Sequence, residues 1–452
     1  MVKNLWESYS DKEKNEIQNY CENYRIFLST HKTEREFVDY AVAEAEKNGF
    51  KSLDYYIKNK IQVKAGDKIY AVYMNKTIAT FVVGSEPIEK GILITAAHID
   101  SPRLDIKQKP LYESQGFCMI DTHYYGGIKK YQWTAMPLAM HGTICKRDGT
   151  IKKFVFGEDE GPVIGISDLL PHLEKKDDKK EFSGEDLNLV AGNTPEKGVE
   201  KDQFKAFILK LLEKNGVDES DLSSAEIEVV PAGKARDFGL DNSMIMAYGQ
   251  DDRVCAYTSL SALFEVLNPK MTCANLLVDK EEIGSVGATS MHSKFFENTV
   301  AEIINLMGNY SDITLRRTLQ NSSTLSSDVT AGVDPNFSAP FNVETDAHLA
   351  KGVSFNKYTG HRGKYDSNDA NPEFIAKLRR CFDDNGVNYQ MTEMGKVDQG
   401  GGGTIAFIMA NYGMNVIDAG VPVLNMHAPW EITSKADIFE AYKCYKAFYK
   451  MD

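Results

Sequence analysis

Residues 91–100, GILITAAHID, decide the fold that this sequence predicts. The first seven residues are nearly all apolar, and His98 and Asp100 come directly after them. A short run that is apolar on both faces predicts a strand covered by helices on both sides, as in a mostly parallel sheet. Functional sites of open α/β sheets lie beyond the carboxyl ends of such strands. We therefore expect an α/β fold with a functional site that begins at His98.

The flanking sequence continues this alternation of helices and strands. Thr33 and Glu36 predict the capping box of a helix that ends at Gly49. Short apolar runs predict strands and helices farther along the chain. The predicted strands cover residues 68–73, 78–83, 244–247 and 274–278, two more end near residue 328 and at 422–426, and a helix covers 254–267 after a turn at QDDR.

The middle of the chain, roughly residues 104–241, has a different sequence pattern. It contains short alternating segments, the pair Gly126 and Gly127, and a charged low-complexity stretch at residues 174–198 that predicts a mobile, solvated loop. We interpret it as a mainly-β domain inserted into a mixed, mostly parallel sheet flanked by helices. The predicted boundaries are 1–103 and 242–452 for the two parts of the main domain and 104–241 for the insertion.

The composition restricts the class of protein. Of the 452 residues, 42% are hydrophobic and 26% charged, which is ordinary for a globular protein with a sizeable core. The net charge of -13 argues against a nucleic-acid partner. The N-terminal residues lack the apolar core of a signal peptide, no run approaches the ~20 apolar residues of a membrane span, and the seven cysteines form no CxxC pair. We expect a cytoplasmic protein with reduced, buried thiols and no membrane partner.

Five short polar segments follow apolar, strand-like runs, where ionised groups are costly to bury unless they are paired or bind a metal. The segments are His98 with Asp100, Asp251 with Asp252, Glu281 with Glu282, Ser327 with Asp328, and Met426 with His427. Each segment alone is weak evidence, because single segments of this kind are common on protein surfaces. Together they supply the imidazole and carboxylate ligands that suit zinc.

Two histidines and three carboxylates give each of two metals a histidine, a carboxylate and a share of one bridging carboxylate. One further acid must stay off the metals to accept a proton, and the adjacent pair Glu281 and Glu282 supplies both kinds. Neighbouring side chains of an extended segment point in opposite directions, so only a bend or turn can aim both at one site.

The ordered blocks HIDSPRL, QDDR, DKEEIGS, SSDV and MHAPWE resemble those of the aspartyl aminopeptidase and vacuolar aminopeptidase I family of dinuclear zinc peptidases. The resemblance covers essentially the whole chain. It implies an aminopeptidase that removes the N-terminal residue from peptides, with two zinc ions per subunit that cobalt or manganese could replace. It further implies a homo-oligomer, a closed dodecamer built from dimers, in which the inserted domain is the dimerisation element.

The resemblance also implies a set of metal ligands. His98 and Asp328 would be terminal ligands of one zinc, and Glu282 and His427 terminal ligands of the other. The carboxylate of Asp251 would bridge the two ions, and an unusual peptide bond would join Asp251 to Asp252.

Two further roles follow from the resemblance. Glu281 would be the general base, and Asp100 would hold the second ring nitrogen of His98. The chain departs from the family in MHAPWE, where serine more often follows the histidine and arginine more often precedes the glutamate. It also departs in QDDR, where asparagine often follows the bridge. These departures leave the substrate preference open.

The substrate side is less distinct. Lys357 and Tyr365 lie in NKYTGHRGKYDSND, where the resemblance suggests substrate contacts; a cation there could pair with an acidic first residue, and the alternative is a solvated basic loop. Acidic and neutral first residues both remain open. His172 lies in a segment similar to one from which relatives send a histidine into the neighbouring subunit, and the alternative is an ordinary histidine.

Two other motifs have structural interpretations. No P-loop lysine follows residues 400–403, GGGG, so we expect close backbone packing near the metal site rather than nucleotide binding. The PWE of residues 429–431 could start a helix. Among functions, the alternatives are a related dinuclear zinc carboxypeptidase or deacylase and a catalytically silent peptide-binding shell.

Overall fold

The computed structural model describes residues 3–173 and 182–451, which form two compact units. The first unit comprises Met1–Asp100, Ala235–Met426 and Glu431–Asp452, and the second comprises Ser101–Lys234 and His427–Trp430. The insertion that the sequence predicts, 104–241, starts and ends a few residues later than the long segment of the second unit.

The helices and strands are numbered along the chain. The helices are α1 Asp11–Thr30, α2 Glu34–Lys47, α3 Leu53–Asn59, α4 Gln203–Lys214, α5 Gln250–Phe264, α6 Phe295–Met307, α7 Asp312–Gln320, α8 Pro372–Asp384, α9 Ala406–Ala410 and α10 Lys435–Phe448. The strands are β1 Lys51–Ser52, β2 Lys68–Tyr73, β3 Thr77–Val82, β4 Ile92–His98, β5 Arg103–Ser114, β6 Phe117–Tyr125, β7 Leu138–Cys145, β8 Ile151–Phe156, β9 Leu189–Gly192, β10 Ala225–Pro231, β11 Arg236–Phe238, β12 Met244–Ala247, β13 Thr272–Val278, β14 Ser323–Ser326, β15 Thr330–Ala331, β16 Val353–Asn356, β17 Tyr389–Thr392, β18 Asn415–Gly420, β19 Pro422–Leu424 and β20 Glu431–Ser434.

The first unit is built on a nine-stranded sheet in the order β1-β2-β3-β13-β4-β14-β18-β16-β17. Five of the eight neighbouring pairs are parallel, which confirms the predicted mixed, mostly parallel sheet. A second, five-stranded sheet of the same unit has the order β11-β12-β20-β19-β15.

β4 lies in the middle of the nine-stranded sheet and is buried along its whole length. Leu93 and Ala97 pack into one core with side chains of α1, α2, α5, α8 and α10. Ile92, Ile94 and Ala96 pack into another core with side chains of α6, α7 and α9. Because successive residues of a strand point to opposite faces, this division confirms that GILITAA is covered on both sides.

Two local predictions concern helix starts. Thr33 caps α2, and the side chain of Glu36 returns to the cap backbone, so the predicted capping box is confirmed. The predicted turn at QDDR lies within the first turn of α5, where Asp251 and Asp252 leave the helical region of backbone angles. The helix that PWE was expected to start is wrong, because Glu431 begins β20, which pairs with both β12 and β19.

The second unit contains a six-stranded antiparallel sheet in the order β8-β7-β10-β5-β6-β9. The predicted loop is wrong for residues 187–192, where Leu187 and Leu189 are fully buried and β9 joins the sheet, whereas residues 193–198 form no helix or strand and are mostly exposed. The two leucines of LNLV, inside the charged stretch, anchor this segment in the core of the second unit. Residues 174–181 of the predicted loop lie outside the described residues.

Two further features of the fold concern membrane-spanning helices and the cysteines. None of the helices in residues 3–173 and 182–451 combines the length and the apolar character that a membrane span requires. All seven cysteines are free, and five of them are buried as expected, but Cys145 is exposed and Cys381 is only half-buried.

Candidate metal centre

Three adjacent parallel strands place polar side chains at one edge of the main sheet. β4 lies between β13 and β14, and His98 at the end of β4 is paired in register with Val278 at the end of β13. Ser326 at the end of β14 is paired with Ala96. Asp328 and the Glu281–Glu282 pair therefore follow strands that end level with His98.

Asp251 comes to this edge from the turn between β12 and α5. Gly249 takes the left-handed conformation, with φ +66°, at the N-terminal cap of α5, and Asp251 follows two residues later. The peptide bond between Asp251 and Asp252 is cis.

The imidazole of His98 is the centre of the cluster. Its Nε2 lies 3.0 Å from Oδ1 of Asp251, 3.9 Å from Oδ1 of Asp328 and 3.9 Å from Oε2 of Glu281. One ligand atom each from His98, Asp251 and Asp328 lies within 4.8 Å of the other two. The structure thus brings these three predicted metal ligands together, with the predicted base beside them. A ligand atom of Glu282, the fourth predicted ligand in the first unit, also lies within 4.8 Å of one of Asp251.

The charges of this cluster are strongly coupled. Burial alone would lower the pKa of His98, but hydrogen bonds to Asp100 and Asp251 and the charge of Asp328 outweigh burial and raise that pKa well above its usual value. Burial raises the pKa of Asp328 well above its usual value, and the charges of Glu281, Asp252 and Asp251 raise it further.

A divalent cation fits this donor set. One imidazole nitrogen and two carboxylates that converge in a buried place are ligands that zinc prefers. Burial is the main cause of the raised pKa of Asp328, and the neighbouring carboxylates raise it further against the opposing charge of His98. A bound cation would offset the charge of these carboxylates.

Asp100 does more than the sequence predicts. Nδ1 of His98 lies 3.0 Å from the backbone oxygen of Asp100 and 3.3 Å from its Oδ1. The two carboxylate oxygens of Asp100 also accept the backbone N–H groups of Glu281, at 3.1 Å, and Glu282, at 3.2 Å. Asp100 therefore links the orientation of His98 to the backbone of the two glutamates, a contact for which the sequence gives no signal beyond the spacing of HxD.

The Glu281–Glu282 pair lies on a tight bend. Residues Glu281–Ile283 form a single 3-10 turn between Lys280 and Gly284, both in the left-handed conformation with φ of 71° and 94°. The bend that two adjacent functional side chains require is therefore present.

His427 lies in the second unit, within His427–Trp430. Its Nδ1 is 3.1 Å from the backbone oxygen of Gly127, and a Cβ added at Gly127 would come 3.2 Å from the same nitrogen. If Nδ1 donates to Gly127, Nε2 is left with a lone pair for a metal. From the sequence we identified Gly127 only as part of a glycine pair and missed its contact with the ring of His427.

The residues predicted to contact substrate lie in two places. Nζ of Lys357 is 3.2 Å and Nζ of Lys364 is 3.1 Å from the carboxylate of Asp369. Tyr365 is 63% exposed. Burial would raise the pKa of Asp369, but the two lysines lower it. Lys357 is therefore already paired with an acid of its own segment, a pairing that the sequence motif did not predict.

His172 is exposed and lies in the second unit, between large apolar side chains that are also exposed. Leu169, Leu170 and Leu173 are 52%, 49% and 67% exposed. The described residues of this chain therefore leave His172 and its apolar neighbours open to solvent.

The glycine-rich segment packs closely against neighbouring backbone. The N–H of Gly402 donates to the oxygen of Thr359 at 2.8 Å, and a Cβ at Gly401 would lie 2.6 Å from the oxygen of Gly360. Thr404 and Ser326 donate to Oδ1 of the buried Asp418 at 2.7 and 3.1 Å.

Known proteins resemble this chain over its whole length. Residues 27–449 match the family described as Aminopeptidase I zinc metalloprotease (M18). The probable M18 family aminopeptidase 1 of Clostridium acetobutylicum is 54% identical, over 99% of this chain and 97% of that protein. The crystal structure of an M18 family aminopeptidase from Thermotoga maritima has a TM-score of 0.95 at 42% identity and covers 100% of both chains. The mApe1 dodecamer of S. cerevisiae shares the fold, with a TM-score of 0.76 at 21% identity over 95% of this chain and 96% of that one.

The family match and the fold together define a zinc metallopeptidase. The chain belongs to the M18 family, and it is an aminopeptidase of that family, a hydrolase that acts on peptides.

Proposed function

We propose that this aminopeptidase removes the first residue of a peptide with two zinc ions that share Asp251 and with Glu281 as general base. The observation that carries the proposal is the meeting of His98, Asp251 and Asp328 within 4.8 Å of one another, with Glu281 3.9 Å from the same imidazole.

The proposed ligand sets divide between two ions. His98 and Asp328 hold the first, Glu282 and His427 hold the second, and Asp251 belongs to both. Two features support this division. The backbone oxygen of Asp100 lies 3.0 Å from Nδ1 of His98, and that of Gly127 lies 3.1 Å from Nδ1 of His427, so that in both rings Nε2 is the nitrogen proposed to bind a metal.

Zinc held by these ligands would lower the pKa of a water to ~7, polarise the scissile carbonyl and bind the free α-amino group. Glu281 accepts the proton of the attacking water on its carboxylate and then donates it to the leaving amine. Asp100 holds the backbone of Glu281, so the base keeps its position while it changes protonation state.

Lys357 and Tyr365 are proposed to contact the first residue of the substrate. An acidic first residue has to compete with Asp369 for Lys357, whereas a neutral first residue does not. We therefore propose that the enzyme prefers neutral first residues.

A homo-oligomer is part of the proposal. Relatives of the same fold include a dodecamer. Exposed leucines around His172 supply apolar surface that a second subunit would cover, and His172 would then reach that subunit's active site. We propose a dodecamer built from dimers through the inserted domain. The cytoplasmic location stays a prediction.

A panel of aminoacyl chromogenic substrates, assayed with zinc, cobalt and manganese, tests the reaction. The proposal expects metal-dependent cleavage of substrates with a free α-amino group and no cleavage after N-acetylation. Cleavage that survives acetylation, or that requires a free C-terminal carboxylate, would instead support a carboxypeptidase or deacylase.

A further inference from the structure

Asp251 lies in the first turn of α5, where the backbone N–H groups of a helix have no partner within the helix. Asp251, with φ −78° and ψ 108°, and Asp252, with φ −116° and ψ 34°, lie outside helical geometry in the first turn of α5. Residues there cannot be fixed by the i to i−4 ladder. Something else must hold Asp251 in place if its carboxylate is to serve two ions.

Glu431 contacts Asp251 directly from the neighbouring strand. Its Oε2 accepts the backbone N–H of Asp251 at 3.0 Å, and only 1% of Glu431 is exposed. The side-chain amide of Gln250 donates to the backbone oxygens of Glu431, at 2.8 Å, and Ile245, at 3.0 Å. The residue before Asp251 is thereby tied to both β12 and β20.

Arg253 holds the turn from its other side. This arginine is fully buried, and its guanidinium donates to three backbone oxygens and to none of the carboxylates in the described part of the chain. Nη2 donates to Tyr248 at 2.8 Å, Nε to Gly249 at 2.9 Å and Nη1 to His31 at 2.9 Å. Burying a guanidinium is costly unless its donors are satisfied in a fixed geometry, and only the planar fork of arginine can reach all three oxygens.

We propose that Glu431 and Arg253 are positioning residues that fix the backbone on both sides of Asp251 and so set the affinity of the site for zinc. The inference rests on the proposed role of Asp251. It also gives a function to Arg253 of QDDR and Glu431 of MHAPWE, which the mechanism above does not use.

Zinc titration with a competing chelator, combined with thermal melts of the metal-free protein, tests the inference. Arg253→Met and Glu431→Ala should each weaken zinc binding by about 10- to 100-fold, the usual effect of losing a group that orients a ligand. Glu431→Gln should stay close to wild type, because its amide oxygen can still accept the N–H of Asp251. Arg253→Lys should fall between wild type and Arg253→Met.

Arg25→Met is the matched control. Arg25 also donates to a backbone oxygen of the first unit, that of Ala235 at 3.0 Å, but its other hydrogen bonds go to Glu22 and not to residues 248–252. It should lower the melting temperature without changing zinc affinity.

Three outcomes would overturn the inference. Wild-type zinc affinity in both Arg253→Met and Glu431→Ala, with only a lower melting temperature, would make these residues merely structural. If Arg253→Met and Glu431→Ala fail to fold, zinc affinity is measured in Arg253→Lys and Glu431→Gln instead. A loss of zinc affinity in Glu431→Gln as large as the one expected for Glu431→Ala would then refute the hydrogen-bond role. Full zinc affinity in a parallel Asp251→Asn variant would refute the proposed metal centre itself.

Discussion

The metal centre and the basic segment at residues 357–369 are both rich in charge, but they balance it differently. At the metal centre several buried carboxylates surround one imidazole, and burial and mutual repulsion raise the pKa of Asp328. In the basic segment, two half-exposed lysines share one carboxylate, Asp369, and lower its pKa. The first region is the place where we propose that a cation binds, whereas the second is already balanced by its own residues.

This difference distinguishes a ligand-binding site from an ordinary charged surface. Charged residues gathered in a sequence motif point to a ligand only when the fold leaves their charges uncompensated in a buried place. The cluster around His98 meets that condition. The lysines around Asp369 do not, and this is why the proposal assigns them a weaker role in substrate preference.

The largest expected effect is on the metal-centre side of the comparison. Glu281→Gln should bind zinc as wild type does and lose activity by about 10²- to 10⁴-fold, because the proton acceptor is gone while the metal ligands remain. Zinc content and kcat on a neutral aminoacyl substrate measure the two effects. Glu302→Gln, an exposed glutamate on α6, is the control and should change neither. Full turnover in metal-loaded Glu281→Gln would remove this residue from the role.

The pH dependence of stability reports on a buried carboxyl that joins the glycine-rich segment to β14. Burial raises the pKa of Asp418 to about 7, against hydrogen bonds from Thr404 and Ser326 that lower it. Because the folded protein then binds a proton that the unfolded chain has already lost, this group lowers stability as the pH rises from about 4 to about 7. Asp418→Asn should remove that decline, so its stability relative to wild type should rise by about 2–4 kcal/mol between pH 4 and pH 8. Denaturant unfolding at several pH values measures it, and a pH-independent difference would contradict the account.

Gly127→Ala tests how tightly His427 is held. The added methyl would come 3.2 Å from Nδ1 of His427, which is closer than ordinary contact, so the ring must move by a few tenths of an ångström. We expect about a tenfold loss of affinity for one of the two proposed ions, in the range for a displaced ligand-orienting contact. Isothermal titration with zinc measures it. Two unchanged binding steps would show that the ring position does not matter.

The smallest effect is expected in the basic segment. Asp369→Asn frees Lys357, so cleavage of substrates with acidic first residues should rise several-fold relative to neutral ones, in keeping with the modest strength of exposed ion pairs. The ratio of kcat/KM for aspartyl and leucyl substrates measures the change. Asp366→Asn, in the same segment, is the control. An unchanged ratio would place Lys357 outside the substrate pocket.

Much of this architecture could be predicted from the sequence because its signals are local. The apolar run before His98 identifies the central strand, and the rule that parallel strands end together brings Asp328 and Glu281 to the same edge. The capping box at Thr33 is likewise a property of four adjacent residues.

Contacts between distant segments could not be predicted. Nothing in MHAPWE indicates that Glu431 accepts the N–H of Asp251, and nothing around residue 127 indicates that it faces His427. The burial of Leu187 and Leu189 inside a charged stretch is a third example, because charge density predicts a loop while two apolar side chains are enough to anchor a strand. Such partners are fixed by tertiary packing rather than by spacing along the chain.

Anomalous diffraction at the zinc edge, from crystals grown with zinc, tests the central claim most directly. The account predicts one peak within coordination distance of His98 Nε2 and the carboxylates of Asp251 and Asp328, and a second that also contacts Asp251. Zinc bound elsewhere on the protein, with no peak next to Asp251, would contradict it.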